Sequence, residues 1–174
     1  MHCRTFSIQV HMQRYFYLTG LAAGGYFDHY GAAAEYVCLP LDPDVHTGSQ
    51  RLSNVPTFIY GAEYEDSYFH VKPNGDVPCA VCMPKQARAV IMIAGKSKCY
   101  PGWKLEYYGN LASGYLTHKA ATQYVCVDSN PQVFDGGNAN RNGKLFYAVE
   151  AECGSLRCPP YKEHVTLSCV VCSK

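Results

Sequence analysis

The sequence predicts an all-β fold, mostly β with short helical turns. It is built from two tandem homologous halves and held by disulfides. Three observations predict this. Runs of β-branched and aromatic residues stand between dense turn signals, and no amphipathic stretch of about 12 residues suits a helix. Segments of the first half recur, in order, in the second. Ten cysteines, an even number, divide between the halves.

The repeat emerges when Tyr26 is laid on Tyr115. "YFYLTGLAAGGY" (15–26) then falls on "KLEYYGNLASGY" (104–115), pairing Gly20 with Gly109 and Gly25 with Gly114. With one deletion, "FDHYGAAAEYVCLPLDP" (27–43) falls on "LTHKAATQYVCVDSNP" (116–131), pairing His29 with His118 and Cys38 with Cys126. "IYGAEYE" (59–65) meets "FYAVEAE" (146–152), so Glu63 matches Glu150 and Glu65 matches Glu152. "VPCAVC" (77–82) meets "LSCVVC" (167–172). Two copies are too few for a solenoid. The expectation is one domain over 1–174, with halves 1–86 and 87–174 related by a pseudo-twofold axis.

Strands are expected at "TFIYGAEYE" (57–65), "ARAVIMIAGK" (87–96), "GKLFYAVEAEC" (143–153) and "HVTLSCVVCSK" (164–174). In 143–153, alternation puts Leu145, Tyr147 and Val149 on one face and Phe146, Ala148 and Glu150 on the other. "GAAAEY" and "HKAATQY" are each expected to form one helical turn. Turns are marked by "LDPD", "KPNGD", "CYPGW", "DSNP", "DGGN", "RNG" and "CPPY".

The cysteines sort with the repeat. Cys3, Cys38, Cys79 and Cys82 fall in half one, and Cys99, Cys126, Cys169 and Cys172 in half two. Cys153 and Cys158 bracket "GSLR". Two disulfides per half plus Cys153–Cys158 are expected, joining the Tyr-Val-Cys and leading cysteines to the two CxxC cysteines. The connectivity within each set of four stays open. A zinc site could use the same CxxC spacing, but both pairs stand in apolar strands rather than on glycine-containing knuckles.

Composition excludes several classes. Charged residues are 17% of the 174, and 15 Lys and Arg nearly balance 14 Asp and Glu. Nucleic-acid binders need a basic footprint that is missing here. No apolar run approaches the ~18 residues of a membrane span, so no membrane insertion is expected. Ten cysteines point to an oxidising, extracellular setting. The first twenty residues lack a secretion-signal pattern, so a mature form given an initiator Met is expected. No nucleophile context surrounds any histidine, and an enzyme is not expected.

"DSNPQVFDGGNANRNG" (128–143) carries the densest polar chemistry. Asp128, Asn130, Asp135, Asn138, Asn140 and Asn142 offer carboxylate and amide oxygens, which suit Ca²⁺ and its about 6–8 hard ligands. The same composition suits a loop of Asx turns with left-handed residues. The EF-hand spacing is absent. His29 and His118 stand at matched positions, which favours packing. Recurrence of Glu63 and Glu150 favours a structural role for both. Trp103 is expected to pack in a core.

The strings "GAAAEYVCLPLDPD", "YGAEYE", "VPCAVC", "CYPGWKLEYYG", "QYVCVDSNP", "NANRNGKLFYAVEAECGSLRCPPY" and "LSCVVCSK" resemble the non-collagenous C-terminal domain of short-chain, spongin-type collagens. The resemblance runs from about residue 15 to the end, while the first 14 residues depart from the family pattern. More distantly, "CYPGW" and the two-half layout are similar to the C-terminal domain of type IV collagen. Free-standing members of this group are similar to cnidarian lectins that bind terminal galactose through Ca²⁺. The resemblance therefore implies a secreted, calcium-dependent, galactose-type lectin acting as a homodimer or other homo-oligomer. Ca²⁺ is expected on Asp128, Asn130, Asp135, Asn138 and Asn140, and sugar contacts on Asn142, Tyr115, His118 and Gln123. The alternative is a matrix assembly or adhesion module with no sugar site.

Overall fold

A computed structural model describes residues 15–44, 57–83 and 89–174. Ten strands form one extended sheet: β1 (Tyr15–Gly24), β2 (Tyr36–Pro40), β3 (Tyr60–Tyr64), β4 (Gly75–Asp76), β5 (Pro78–Met83), β6 (Val90–Ala94), β7 (Lys104–Ser113), β8 (Val125–Asp128), β9 (Lys144–Ala148) and β10 (Ser168–Ser173). The order is β2-β1-β3-β9-β7-β10-β6, with β5 also on β1, β8 on β7 and β4 on β3. The fold is all-β among the described residues, apart from a 3₁₀ turn at Ser67–Phe69.

Strand registers fall at matched positions. Gly20 on β1 lies opposite Pro40 and Cys79, and Gly109 on β7 opposite Asp128 and Cys169. Ala23 pairs with Gly61, and Ala112 with Ala148. The two glycines do the same work. A Cβ on Gly20 would lie 1.7 Å from the Leu39 carbonyl oxygen, and one on Gly109 would lie 1.8 Å from that of Val127. Only hydrogen leaves room for the neighbouring backbone there.

Among the described residues, four disulfides staple this framework. Cys38–Cys79 ties β2 to β5 and Cys126–Cys169 ties β8 to β10, each across the long strand between them. Cys99–Cys172 anchors the loop before β7, and Cys153–Cys158 closes a short loop. The Tyr-Val-Cys cysteine thus takes the first cysteine of each CxxC. Cys3 and the side chain of Cys82 lie outside the described residues. Bridges closing loops of 41, 43 and 73 residues are each worth about 3–4 kcal/mol through restriction of the unfolded chain.

Three expectations change. The Ala-rich segments are not helical turns but irregular coil leading into β2 and β8. Their carbonyls are used elsewhere: Ala33, Ala34 and Ala121 all accept from Lys144 Nζ at 3.3 Å. β9 does not alternate. Lys144, Leu145 and Phe146 are all buried, because β9 lies between β3, which it pairs in parallel, and β7. Trp103 is not in either core cluster; it lies partly exposed, 6.0 Å beneath the Lys174 ammonium.

The larger core cluster mixes the two halves. Tyr36, Tyr64, Phe69 and Val77 meet Ala112, Val125, Val127 and Phe146. A second cluster, Tyr107, Leu111 and Val171, surrounds the Cys126–Cys169 bridge. Lys144 sits at the join. Its ammonium lies 5.0 Å over the Tyr36 ring, and its stem runs against Gly24, where a Cβ would approach Cγ to 3.1 Å. The carbonyls and the ring hold the cation. Burial opposes it and pulls the ammonium pKa down to about 8.

Two outcomes follow from these contacts. Gly109→Ala forces β7 and β8 apart and lowers stability by about 3 kcal/mol or more. Gly31→Ala, where a Cβ meets nothing, leaves the thermal midpoint nearly unchanged. For Lys144, the unfolded chain keeps its proton up to about pH 10.4, whereas the folded chain releases it near 8. Between those values the unfolded state binds more protons, so stability rises with pH. Denaturant titrations of the wild type, referenced to Lys144→Met, should gain about 2–3 kcal/mol from pH 7.5 to 10. A flat difference would mean the ammonium is not destabilised by burial.

Candidate functional site

The polar loop 128–143 is strapped to the β3–β4 corner. Asp128 ends β8 and is buried. Its Oδ1 accepts the Asn130 amide at 2.9 Å and faces Ser129 Oγ at 3.5 Å, an Asx turn that starts the loop. Burial, and secondarily the Asp128 charge, pushes the Tyr64 phenol pKa up. Farther along, Phe134 N–H donates to Asp76 O, and Asp76 N–H donates to Gly137 O at 2.9 Å. A Cβ on Gly137 would lie 2.4 Å from Asp76 Oδ2, so glycine lets the loop close on this carboxylate. The loop then returns over Glu63. This buried carboxylate accepts the Arg141 amide at 2.9 Å on Oε1 and the Asn142 amide at 3.3 Å on Oε2. Asn142 takes a left-handed φ of 52° to allow it.

Strapping the loop leaves a cavity of about 210 Å³ between it and β3. Leu21, Tyr60 and Gly61 form its apolar wall, and Glu63, Asp76 and Arg141 its charged wall. Beside it, Glu65 hydrogen-bonds Glu63; burial, then the Glu63 charge, raises the Glu65 carboxyl pKa.

The residues expected to hold Ca²⁺ are spread along the loop. Asp128 is buried in its turn, while Asn130, Asp135, Asn138 and Asn140 are exposed. Among the described residues, no trio of His, Cys, Asp or Glu with close ligand atoms includes Asp128 or Asp135. Asn142 faces the strap through its backbone amide.

Of the expected sugar contacts, Tyr115 and His118 come together with Tyr147. The ring centroids lie 5.5 Å (Tyr115–His118), 5.2 Å (Tyr115–Tyr147) and 5.7 Å (His118–Tyr147) apart. Tyr26, His29 and Tyr60 make the same triad at 4.8, 5.0 and 6.1 Å. Phe27 joins the two triads through His118 at 4.5 Å. His118 is half-buried within this aromatic packing. Burial lowers its pKa, and the Asp28 carboxylate partly opposes this. Gln123 is exposed, and its backbone amide donates to Ala34 O.

A second hollow, a groove of about 660 Å³, opens on half two. Tyr115, Leu116, Tyr124 and Tyr147 give it aromatic and apolar walls, while Glu150, Glu152 and His164 give it polar ones. Glu150, matched to the buried Glu63, is exposed here. Burial, then the charges of Glu65, Tyr115 and Asp66, raises the Tyr147 pKa. At the rim, Glu152, Glu163 and His164 hold ligand atoms within 4.8 Å of one another. A histidine in such a set suits a borderline metal better than Ca²⁺.

Sequence reasoning did not place Glu63, Asp76 and Arg141 in one cavity. Glu63 carried a signal, since it recurs as Glu150, whereas Asp76 and Arg141 carried none. Comparison with family models, curated proteins and solved structures finds no match to this chain.

Glu63→Gln tests the strap. The amide keeps one acceptor but turns an NH₂ towards a backbone donor. A loss of about 1–3 kcal/mol in chemical denaturation is expected. A change within 0.3 kcal/mol, about the error of additive surface effects, would mean the carboxylate does not hold the loop.

Proposed function

We propose that this chain is a secreted, calcium-dependent carbohydrate-binding protein whose site is the cavity between β3 and the polar loop. The disulfides accord with an oxidising setting, and no helix among the described residues is long and apolar enough to cross a membrane. One observation carries the reading: a cavity of about 210 Å³ that sets Tyr60 beside Glu63, Asp76 and Arg141. A pyranose needs this pairing, with an apolar face for its C–H side and charged groups for its hydroxyls.

The donors suit Ca²⁺ in kind. Asp76 on the wall would offer it a carboxylate oxygen, while Asp135, Asn138 and Asn140 stand exposed along the loop outside the cavity lining. All are hard oxygen ligands. The bound ion would supply coordination places for vicinal hydroxyls. Tyr60 would cover the ring, while Arg141 and Glu63 would read the remaining hydroxyls. The preference for galactose-type sugars rests on the likeness to short-chain collagen domains and related lectins, not on the cavity. In this reading the protein binds and does not catalyse, and two copies are needed to cross-link glycans. Exposed Phe58 and Ile59 favour a second reading, an extracellular-matrix assembly module.

Isothermal titration with galactose, in about 5–10 mM CaCl₂ and then in EDTA, decides between them. Binding that disappears in EDTA and falls at least about tenfold in Asp76→Asn is expected. No heat in either buffer, with other monosaccharides equally silent, would falsify the lectin reading.

A further inference from the structure

The two copies of the repeat differ in the link that leads to each CxxC strand. Half one makes this link with "DSYFHVKPNGD" (66–76), and half two with the longer "CGSLRCPPYKEHVT" (153–166). The longer link carries the extra disulfide, Cys153–Cys158. It contributes no residue to either core cluster. A cross-link placed here holds no core together. It fixes the shape of a surface loop.

Three donors gather beside that loop. Glu152, Glu163 and His164 hold ligand atoms within 4.8 Å of one another. They come from two segments that the backbone keeps side by side. Ala151 N–H donates to Val165 O at 3.1 Å, and His164 N–H donates to Ala151 O at 2.9 Å. A bridge between Glu150 and Thr166 continues the pairing. The disulfide loop adds a tie of its own, because the Cys153 amide donates to Glu163 Oε2 at 3.2 Å. The Glu163 carboxylate is thus positioned by the loop that the disulfide closes.

Two features point to a cation. Carboxylates this close repel each other. Yet among the described residues no lysine or arginine pairs with Glu152 or Glu163, and the ion pair that Glu152 makes is with His164 itself. Arg157 and Lys162 stand in the same link and are not used. The imidazole is the second feature, and it separates the set from a patch of acidic groups. Two carboxylates and a histidine suit a borderline metal such as Zn²⁺ better than hard Ca²⁺. Bonds of about 2.0–2.2 Å to one such ion place its donors roughly 3.4 Å apart. His164 Nδ1 already lies 3.6 Å from Glu152 Oε2.

We propose that Glu152, Glu163 and His164 together bind one borderline divalent cation, Zn²⁺ by their chemistry. Three protein donors leave a tetrahedral place open. Glu152 and His164 also line the groove on half two, so water or a donor atom of a molecule in that groove completes the shell. Among the described residues half one has no equivalent trio. The site is separate from the β3 cavity and does not rest on the sugar-binding reading.

Isothermal titration with ZnCl₂ tests this, on chelator-treated protein with its disulfides intact. A site with a dissociation constant of about 10 µM or below is expected. Glu163→Gln and His164→Ala should each weaken it at least about tenfold, since even the outer partners of metal ligands are worth about 10–100-fold. Both positions are exposed, so thermal midpoints near wild type are expected without metal. Glu150→Gln removes a neighbouring exposed carboxylate outside the trio and should bind as the wild type does. Three results would each overturn the proposal: no binding by the wild type, variants that bind like it, or an equal loss in Glu150→Gln, the mark of diffuse negative charge. Galactose titration of the same variants in CaCl₂ reads the β3 cavity separately, so loss of one proposal does not mimic loss of the other.

Discussion

The ammonium of Lys144 is the point on which the join of the two halves depends. Three carbonyls, from two loops far apart in sequence, converge on it at 3.3 Å. Ala34 O also accepts the Gln123 amide, and the lysine gives the two loops a donor in common. Burying a charge is itself costly, so the arrangement sets that cost against these hydrogen bonds. Carbonyl dipoles and the Tyr36 ring offset the loss of water. Much follows from that balance. The Ala-rich loops are not helical, and their carbonyls turn to the lysine. Gly24 must lack a side chain because the stem lies on it. β9 is then held in the centre of the sheet, parallel to β3.

Around this centre the framework is stiff. The disulfides that link β2 to β5 and β8 to β10 cross the long strands near Gly20 and Gly109, where neighbouring backbones leave no space for a methyl group. Such a frame can carry loops that contribute little to its own stability. The polar loop illustrates this: Glu63 and the Asp76 backbone hold it at two points, and the cavity lies between them. Asn130, Asp135, Asn138 and Asn140 stay exposed along the loop. The groove on half two is a different kind of surface, with strand edge and aromatic walls, and suits a peptide segment better than a small polar ligand.

Much of the frame was legible in the sequence because it is written in local chemistry. The apolar runs marked β3, β6, β9 and β10, and glycines recurred where backbones touch. The YVC and CxxC cysteines paired as the repeat suggested, although which cysteine of each CxxC took which partner needed coordinates. The site was less legible. Asp128 stood first among the expected ligands, but its carboxylate is used up in the turn that begins the loop. His118 lies within an aromatic triad. Glu63 had a signal only because Glu150 repeats it, and the repeat misled as well. The same residue type is a buried hub in one half and an exposed groove wall in the other.

Sequence alone determined the strand-forming segments of β3, β6, β9 and β10, the turns, the pairing classes of cysteines and the polar loop, since each depends on residues close along the chain or on a repeated pattern. Tertiary structure decided which copy of each repeated residue is buried. Tyr36 and Tyr124 follow the same local rules, as do Phe146 and Ile59. Their fates diverge because β9 crosses onto half one and, among the described residues, no segment crosses onto half two. That crossing is a contact between distant parts of the chain. It is set by where one buried lysine finds its three carbonyls, and no short window of sequence contains it.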